Sequence, residues 1–592
     1  MDLNLGGFQL SGDAARDPGK RETSRPRKDL GDKANEKAQI LMSRFYQMYG
    51  LRGVWEQHWE EIAEQMIPGH IHSFNALSIR TPGQKRMQYV YDSTAILAVG
   101  RWAAIMDSIL TPYGKRWHTI EPEDASLLKD RDVRMWCDLA TETLFHERYA
   151  YTANFQGQIQ MAYKSIGAFG TGSLFIDELS RSKINPFPGL RYKNVHIGEL
   201  YCAENHQGVV DCVYRYFQLT ARQAVQKWPD TISEGVRLAA EKFPETMFYF
   251  IHCVCPREDH EWDPKRMDGK GMPYGSYYID VANRAMLSEG GYRSFPMPVG
   301  RHEQFTGEVY GRGPGMDLLP AVKMLNSMAM THIKAGHRVL DPVLLVHDDG
   351  VAQGFSLKPG ALNAGAVSQD GRPLVHALPT GNLPIGDALM ERQEKLINSG
   401  FSVDLFSVLT ESPEMTATEV LDRIHQRGIL LNPAFARQQA EFQGPMVHRE
   451  LDILLSAGLL PPPPRRMIQA GGGYRVKYTA PVNREMMAEE AAALERTLQE
   501  VGQMAQALQK PEAVDTFDLD TAIPEIARIR GTPERWIASA EQVAAARQAR
   551  AQAAQAAQAS QAAPGAAALI KAGAVASQGA SPANLPRGPK AA

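Results

Sequence analysis

The sequence predicts an α+β fold that is mainly helical and carries one strand-rich stretch. Apolar residues recur at steps of three and four over about 35–67 and 92–110, which is the spacing of amphipathic helices. Between about 188 and 305 the pattern changes to the alternation of polar and apolar residues that is typical of strands. A chain of 592 residues is long enough to build several domains.

The composition is that of a soluble globular protein. Hydrophobic residues make up 44% and charged residues 22%, and no apolar run approaches the roughly 18 residues of a membrane span. Residues 1–34 lack an apolar signal core and predict a flexible, non-secretory arm. The net charge of −3 argues against a protein that coats nucleic acid, but it is compatible with a surface past which DNA slides.

The cysteines predict neither a disulfide framework nor a metal site. Five cysteines in so long a chain suit a reducing cytosol. The alternating run IHCVC predicts a strand that places Cys253 and Cys255 on one face. Because the paired C-x2-C spacing of zinc sites is absent, we expect no metal, and no motif indicates a cofactor.

The first 300 residues predict helices followed by strands. Capping and proline signals place helix ends at Pro68-Gly69 and Thr111-Pro112, a helix start at Asp92-Ser93, and further helices near Val133–Phe145 and Phe155–Ser165. Gly170-Thr-Gly172 predicts a helix end, a tight turn and a strand, and we interpret these glycines as serving backbone geometry. Two strands around an Asn205–Gly208 turn, a short helix and three more strands are predicted next.

The longest predicted helix follows a glycine-rich loop in the stretch from Gly307 to Asp349. We expect Asp317 to cap this helix, Pro320 to lie in its first turn, and Asp341-Pro342 to end it before a short strand. Its apolar stripe comprises Leu318, Val322, Leu325, Ala329, Ile333 and Gly336. Basic residues fall outside the stripe, at Lys323, Lys334, His337 and Arg338. On periodicity alone, this pattern is also that of an ordinary core helix.

The glycines of this loop do not form a nucleotide-binding motif. Gly311-Arg-Gly313-Pro-Gly315 has neither the Lys-Ser/Thr ending of a P-loop nor the spacing of a dinucleotide fingerprint. Pro314 also removes an N–H group that a phosphate cradle would use.

The remaining sequence predicts mostly helices. A second helix covers Ile385–Gly400, with Glu391 and Lys395 spaced for an ion pair. A capping box at Thr416 opens a run to about Leu460 that Pro433 and Pro445 should interrupt. A strand at Tyr474–Tyr478, helices from Val482 onward, an alanine- and glutamine-rich segment of high helix propensity and a disordered end complete the chain.

Several of these segments resemble the head-to-tail connecting (portal) proteins of short-tailed bacteriophages. The segments are GEVYGRGPGMDLLPAVKMLN, DPVLLVHDDG, the helix ending in LTP, the turn GTG, MTATEV and LDILLSAGLL with its four prolines. The resemblance covers most of the chain, and a mild departure is Val343, where the family has a second proline.

The resemblance implies a portal fold with a mainly helical wing and stem, a β-rich wing segment, a small α/β clip and a helical crown. The implied boundaries are 1–34 arm; 35–310 wing, with 188–305 strand-rich; 311–341 first stem helix; 342–383 clip; 384–401 second stem helix; 402–482 tunnel loop, long helix and return to the wing; 483–547 crown; 548–592 tail.

The resemblance also implies a structural protein of the virion that is made in the host cytoplasm and catalyses no reaction. Such proteins form a dodecameric ring at one capsid vertex around a channel for double-stranded DNA. Their partners are the major capsid and scaffolding proteins, the terminase large subunit, and tail adaptor and nozzle proteins. Because DNA must slide through, we expect weak, non-specific contacts. Candidate channel residues, from helix facing and position, are Lys323, Lys334, Arg338, Asp404, Glu411 and Glu414.

Two other functions are compatible with the sequence. One is a different virion structural protein, such as a tail adaptor or an internal core protein. The other is a nuclease that uses dispersed acidic residues and a metal ion, although no catalytic motif is present. A hollow ring seen in images of the purified protein would favour the portal.

Overall fold

A computed structural model describes residues 30–71, 73–74, 83–179, 188–258, 263, 266, 268–346, 356, 358–363, 366–368, 370–378, 383–403, 435–478, 493–501, 503, 518–529, 532, 536–538 and 541–555. The chain is divided into two compact units. The first comprises Met1–Trp117 and Thr143–Pro461, and the second comprises His118–Glu142 and Pro462–Ala592. Both helices and strands are abundant, which confirms the α+β class.

The helical pattern at 35–67 forms two helices and not one. α1 spans Asp32–Leu51 and α2 spans Gly53–Met66, with Arg52 between them. The Arg52 side chain is buried and donates to the backbone oxygen of Leu200 at 2.7 Å. The break therefore coincides with a long-range hydrogen bond that the local pattern could not reveal.

The next elements begin and end close to the predicted positions. They are the helices α3 (Thr94–Leu110), α4 (Arg131–Arg148) and α5 (Phe155–Phe169). A short strand, β1 (His118–Pro122), lies between α3 and α4. The helix α3 starts where Asp92-Ser93 predicts, with Ser93 as the N-cap, but the Ser93 side chain makes no capping hydrogen bond. The Asp92 carboxylate instead accepts from the Thr94 backbone N–H at 2.9 Å. α5 ends at Gly170, whose φ of 75° is left-handed, as predicted for the Gly-Thr-Gly turn.

Two antiparallel sheets follow. β2 (Thr171–Leu179) lies between β3 (Gly189–Val195) and β9 (Val299–Arg301). The other sheet has five strands in chain order, namely β4 (Leu200–Glu204), β5 (Val210–Thr220), β6 (Met247–Pro256), β7 (Tyr274–Asp280) and β8 (Ala285–Tyr292). The strand-rich prediction for 188–305 is confirmed.

Different helices cover the two faces of the five-stranded sheet. On one face, α1 packs Leu41, Met42 and Phe45 against tyrosines of β4 and β5. On the other face lie α6 (Ala221–Lys227) and α7 (Glu234–Lys242), with a core that includes Trp228. A sheet that is buried on both faces is held in a fixed register, because a one-residue slip would exchange its two apolar sets.

The helix after the glycine-rich loop is α8, which spans Pro314–Leu340. The prediction that Asp317 caps it is wrong, because the helix begins at Pro314 with Gly313 as the N-cap. Proline suits the first helical position, since its N–H would have no partner there and its φ is already helical. Asp317 therefore lies within the first turn, and Pro320 lies inside the helix and not in its first turn.

A short strand pair and a second helix follow α8. β10 (Leu344–Val346) pairs antiparallel with β11 (Val375–Ala377), and α9 spans Leu383–Gly400. Lys395 Nζ donates to Glu391 Oε1 at 2.8 Å, which confirms the predicted pair.

The helical run before Leu460 is interrupted at Pro445, as predicted. A π-helical turn at Gln439–Gln443 precedes α10 (Gly444–Ser456), whose first turn holds this proline. Thr416 and Pro433 lie outside the described residues.

The second unit contains a strand pair and several helices. β1 pairs antiparallel with β12 (Tyr474–Tyr478), where Glu121 accepts from Arg475 at 3.0 Å. The helices are α11 (Arg465–Gln469), α12 (Leu519–Ile529) and the helical residues 493–501 and 541–555. The strand at 474–478 is confirmed.

Candidate functional site in the helical stalk

We call α8, α9 and the β10–β11 pair the stalk. Leu318, near the start of α8, lies against Gly400 at the end of α9. Further along, His332 Nε2 lies 3.2 Å from Asp387 Oδ1, near the start of α9. The two helices therefore run antiparallel, and β10 and β11 occupy the end of the hairpin at which α8 finishes.

Four glycines join the base of the stalk to α5, and we call them the glycine junction: Gly170, Gly311, Gly313 and Gly315. A Cβ atom at Gly313 would lie 2.6 Å from the Ile166 carbonyl oxygen, and one at Gly315 would lie 2.6 Å from the Ala168 carbonyl oxygen. Both oxygens belong to the last turn of α5. Only glycine lets two backbones approach so closely, so these glycines serve backbone geometry.

The N–H groups of the junction are not arranged around an open phosphate site. Gly311 N donates to Thr171 Oγ1 at 2.9 Å, so this donor is already engaged by the protein. Ser165 Oγ donates in turn to the Thr171 backbone oxygen at 2.8 Å. These contacts make the loop part of the packed interior.

The middle of α8 is tied to the segment before α3 by one asparagine. Asn326 Nδ2 donates to the Tyr89 backbone oxygen at 2.8 Å, and its Oδ1 accepts from the Tyr91 N–H at 2.7 Å. No feature of the sequence marks this residue, because its partners are distant along the chain.

Burial along α8 stops after Leu325. The buried residues of the helix are Gly315, Met316, Leu319, Val322 and Leu325. Ile333, on the predicted apolar stripe, is 45% exposed, and Leu340 is 86% exposed. Of the predicted stripe only Val322 and Leu325 are buried, and the buried Met316 and Leu319 lie outside it. The helix is therefore covered only in its first half, whereas an ordinary core helix would be covered along its length.

The stalk exposes many apolar side chains in the single chain, both in its outer part and along α9. They are Ile333, Val339, Leu340, Val343, Leu345, Val346, Leu389 and Leu396. Leu389 and Leu396 are seven residues apart and share one face of α9. A shallow surface depression is lined by Leu396 together with Arg392, Gln393, Lys395 and Ser399. Exposed apolar surface of this extent is typical of a protein contact.

The three channel candidates on α8 lie on one side of it, within about 60° of one another at 100° per residue. Lys323, near the base, forms an ion pair with Glu61 of α2. Lys334 and Arg338 lie farther out and are exposed, and neither has an ion-pair partner in the part of the chain that the structure describes. Asp404, Glu411 and Glu414 lie outside the described residues.

Near Lys323, burial and then the positive charge of Arg312 lower the pKa of His58 below its ordinary value. His58 is therefore mainly neutral at pH 7 and adds little positive charge beside Lys323.

A buried arginine that the sequence did not reveal supports the base of the stalk. Arg301 of β9 donates to Glu441 at 2.8 Å and to the Val309 backbone oxygen at 3.2 Å, and it also pairs with Glu204. Arg301 thus connects β9 to three other segments. They are the last residue of β4 (Glu204), the π-helical turn (Glu441) and the segment before α8 (Val309). No local motif could indicate it, since these groups come from four separate segments.

Within the described ranges, no three His, Cys, Asp or Glu side chains are arranged to hold a metal ion. No helix in the described part of the chain is both long and apolar enough to cross a membrane.

Sequence comparison defines the class of protein. Residues 38–538 match the family described as bacteriophage head to tail connecting protein, and the chain belongs to that family. One relative is a probable portal protein of Bordetella phage BPP-1, 28% identical over 519 residues that cover 86% of this chain and 90% of the relative. Another is a portal protein of Salmonella phage epsilon15, 28% identical over 527 residues that cover 87% and 91% of the two chains.

Proposed function

We propose that this chain is a portal protein, the ring through which double-stranded DNA enters and leaves a phage head. Its family and the names of its relatives support this function. The observation that carries the proposal is the stalk. Its base is buried against the rest of the chain, whereas the apolar side chains of its outer half are exposed to solvent in a single chain.

A second copy of the chain is the partner that best fits the exposed apolar surface of the stalk. The apolar residues extend along α9 and around the β10–β11 end, so a neighbour standing parallel to the stalk would cover them. Repetition of one such contact around an axis closes a ring. The resemblance to portals sets the expected number of copies at twelve.

The boundaries of the portal domains are part of the proposal. Residues 311–341 and 384–401 form the stem, 342–383 form the clip, and 483–547 form the crown. The clip would bind the terminase large subunit during packaging, and tail adaptor and nozzle proteins afterwards. Major capsid and scaffolding proteins would surround the wing during head assembly.

The ring is tested by imaging and by one pair of matched variants. We expect negative-stain images of the purified protein to show a ring with a central opening. Replacing both Leu389 and Leu396 by glutamate should convert rings to smaller species, because charges would be buried in the contact. Light scattering after size-exclusion chromatography measures the change.

The control for this variant is Ala388→Glu, which adds a charge on the side of α9 that carries Glu391 and Lys395. It should leave the ring intact. A ring that survives the double leucine substitution would contradict the proposed contact, and a monomeric wild-type protein would contradict the portal function.

A further prediction concerns the DNA channel. Replacing Lys334 and Arg338 together by glutamine should weaken binding of double-stranded DNA to the ring by roughly tenfold at low salt and reduce its salt dependence, because fewer counterions are released. Fluorescence anisotropy of a labelled duplex across a salt series measures both quantities.

Lys323→Gln is the matched control, since the charge of Lys323 is already compensated by Glu61. Its effect on affinity should be smaller than about twofold. Equal effects of the two variants would remove Lys334 and Arg338 from the channel. An intact ring must be verified for each variant.

A further inference from the structure

Three of the five cysteines lie together on one face of the five-stranded sheet. Cys253 belongs to the core that α1 forms with this sheet, and Cys212 and Cys255 are half-buried against the same core. None of the three forms a disulfide.

The register of the sheet places Cys212 opposite Cys255. β5 and β6 are antiparallel, with Tyr214 opposite Cys253 and Val213 opposite Val254, so the next pair along is Cys212 and Cys255. Residues directly opposite in an antiparallel pair have Cα atoms about 4.5–5.5 Å apart. This separation lies within the range of roughly 4.4–6.8 Å that a disulfide spans.

The surroundings of Cys255 favour its thiolate. Hydrogen bonds from the Cys212 and Cys253 thiols, with help from the positive charges of Lys37 and Arg44, lower the pKa of Cys255 below its ordinary value. For Cys212, the hydrogen bond from Cys253 lowers the pKa, but the bond to Cys255 and burial outweigh it and raise the pKa. The two shifts have opposite directions, so Cys255 is the more acidic thiol of the pair.

We propose that Cys212 and Cys255 are a reversible disulfide site, with Cys255 as the nucleophile toward low-molecular-weight disulfides such as oxidised glutathione. The Cys255 thiolate attacks one sulfur of the oxidant, whose S–S bond breaks and releases one thiolate. Cys212 then loses its proton and attacks Cys255 Sγ, which expels the second thiolate. One oxidant is reduced to two thiols, and one protein disulfide forms.

The closed bond would connect the middle strands β5 and β6 directly. A reducing cytosol would keep the pair open, and an oxidising medium would close it. Crosslinking removes conformations from the unfolded chain, and the loop of roughly 40 residues is long enough for a clear effect. The inference rests on the sheet geometry and on the surroundings of the two thiols, so it stands or fails independently of the proposed portal function.

The test uses the full-length protein treated with oxidised glutathione, followed by blocking of free thiols and peptide mapping by mass spectrometry. We expect a Cys212–Cys255 peptide and a midpoint of thermal unfolding that is higher by roughly 5 °C, both reversed by dithiothreitol. Cys253→Ser should retain the crosslink.

Two variants test the assignment of roles. Cys212→Ser should accumulate glutathione on Cys255, because the second attack is removed. Cys255→Ser should leave Cys212 largely unmodified under the same conditions. The proposal is overturned if the native protein keeps both thiols free after oxidation, if it links other cysteines instead, or if the two variants react equally.

Discussion

Replacing Gly170 by alanine is expected to lower the free energy of unfolding by roughly 3–5 kcal/mol. Two costs add at this position. The φ of 75° is left-handed, which typically costs a residue with a Cβ about 1–3 kcal/mol. The new Cβ would also collide with the Gly311 carbonyl oxygen and approach the Arg312 carbonyl carbon to 2.6 Å, and overpacking against backbone typically costs about 1–3 kcal/mol.

Two other glycines separate these costs. Gly114 has a φ of 74°, but no atom of the described residues beyond its chain neighbours lies within 4 Å of the position that a Cβ would take, so Gly114→Ala should show the conformational cost alone. Gly336 lies in the exposed part of α8 with open space around it, and Gly336→Ala should stabilise the helix by up to about 1 kcal/mol.

The measurement is chemical denaturation of each variant at one protein concentration, so that assembly affects all of them equally. The excess loss in Gly170→Ala over Gly114→Ala measures the glycine junction. If that excess is absent, the close approach of α5 to the base of the stalk does not hold.

The strand-rich stretch could be predicted from sequence because each strand carries its own local signals. Alternation marks the strands, and glycine-containing turns such as Asn205–Gly208 separate neighbours that pair in chain order. In such a meander, sequence neighbours are also spatial neighbours. Local information is then sufficient for topology as well as for the elements.

Helix boundaries were predicted less well where a distant group decides them. The first helical pattern is broken at Arg52, whose side chain donates to the backbone oxygen of Leu200, 148 positions away. The predicted start of α8 at Asp317 is wrong for a local reason. Pro314 is the first helical residue, and proline is favoured at that position.

The basic side of α8 could be predicted from helical periodicity, but its electrostatics could not. The carboxylate that compensates Lys323 belongs to Glu61, which is 262 positions away. Lys334 and Arg338 are on the same side without such a partner among the described residues, and this difference makes them the better channel candidates. Periodicity fixes the direction of a side chain, whereas its partner depends on tertiary packing.

Separating the buried ion pair between Arg148 and Glu450 is the second large effect that we expect. Both side chains are fully buried, and Arg148 Nε donates to Glu450 Oε1 at 3.2 Å. The Tyr192 hydroxyl donates to the same carboxylate at 2.6 Å. Glu450→Gln would leave the guanidinium buried without a negative charge, and the free energy of unfolding should fall by roughly 3–5 kcal/mol.

The matched control is Glu391→Gln in the exposed pair with Lys395, whose side chains are 65% and 75% exposed. Solvent already screens that pair, so its loss should cost less than about 0.5 kcal/mol in the same denaturation measurement. Equal losses in the two variants would contradict a buried pair at the end of α4. The double variant Arg148→Met with Glu450→Leu should recover part of the loss, because an apolar pair of similar volume avoids the desolvation of both charges while the buried Tyr192 hydroxyl loses its acceptor. Such recovery would show that Glu450→Gln is costly because it leaves the buried charge of Arg148 unpaired. It would also show that the intact ion pair contributes less to the contact between α4 and α10 than the loss measured for Glu450→Gln suggests.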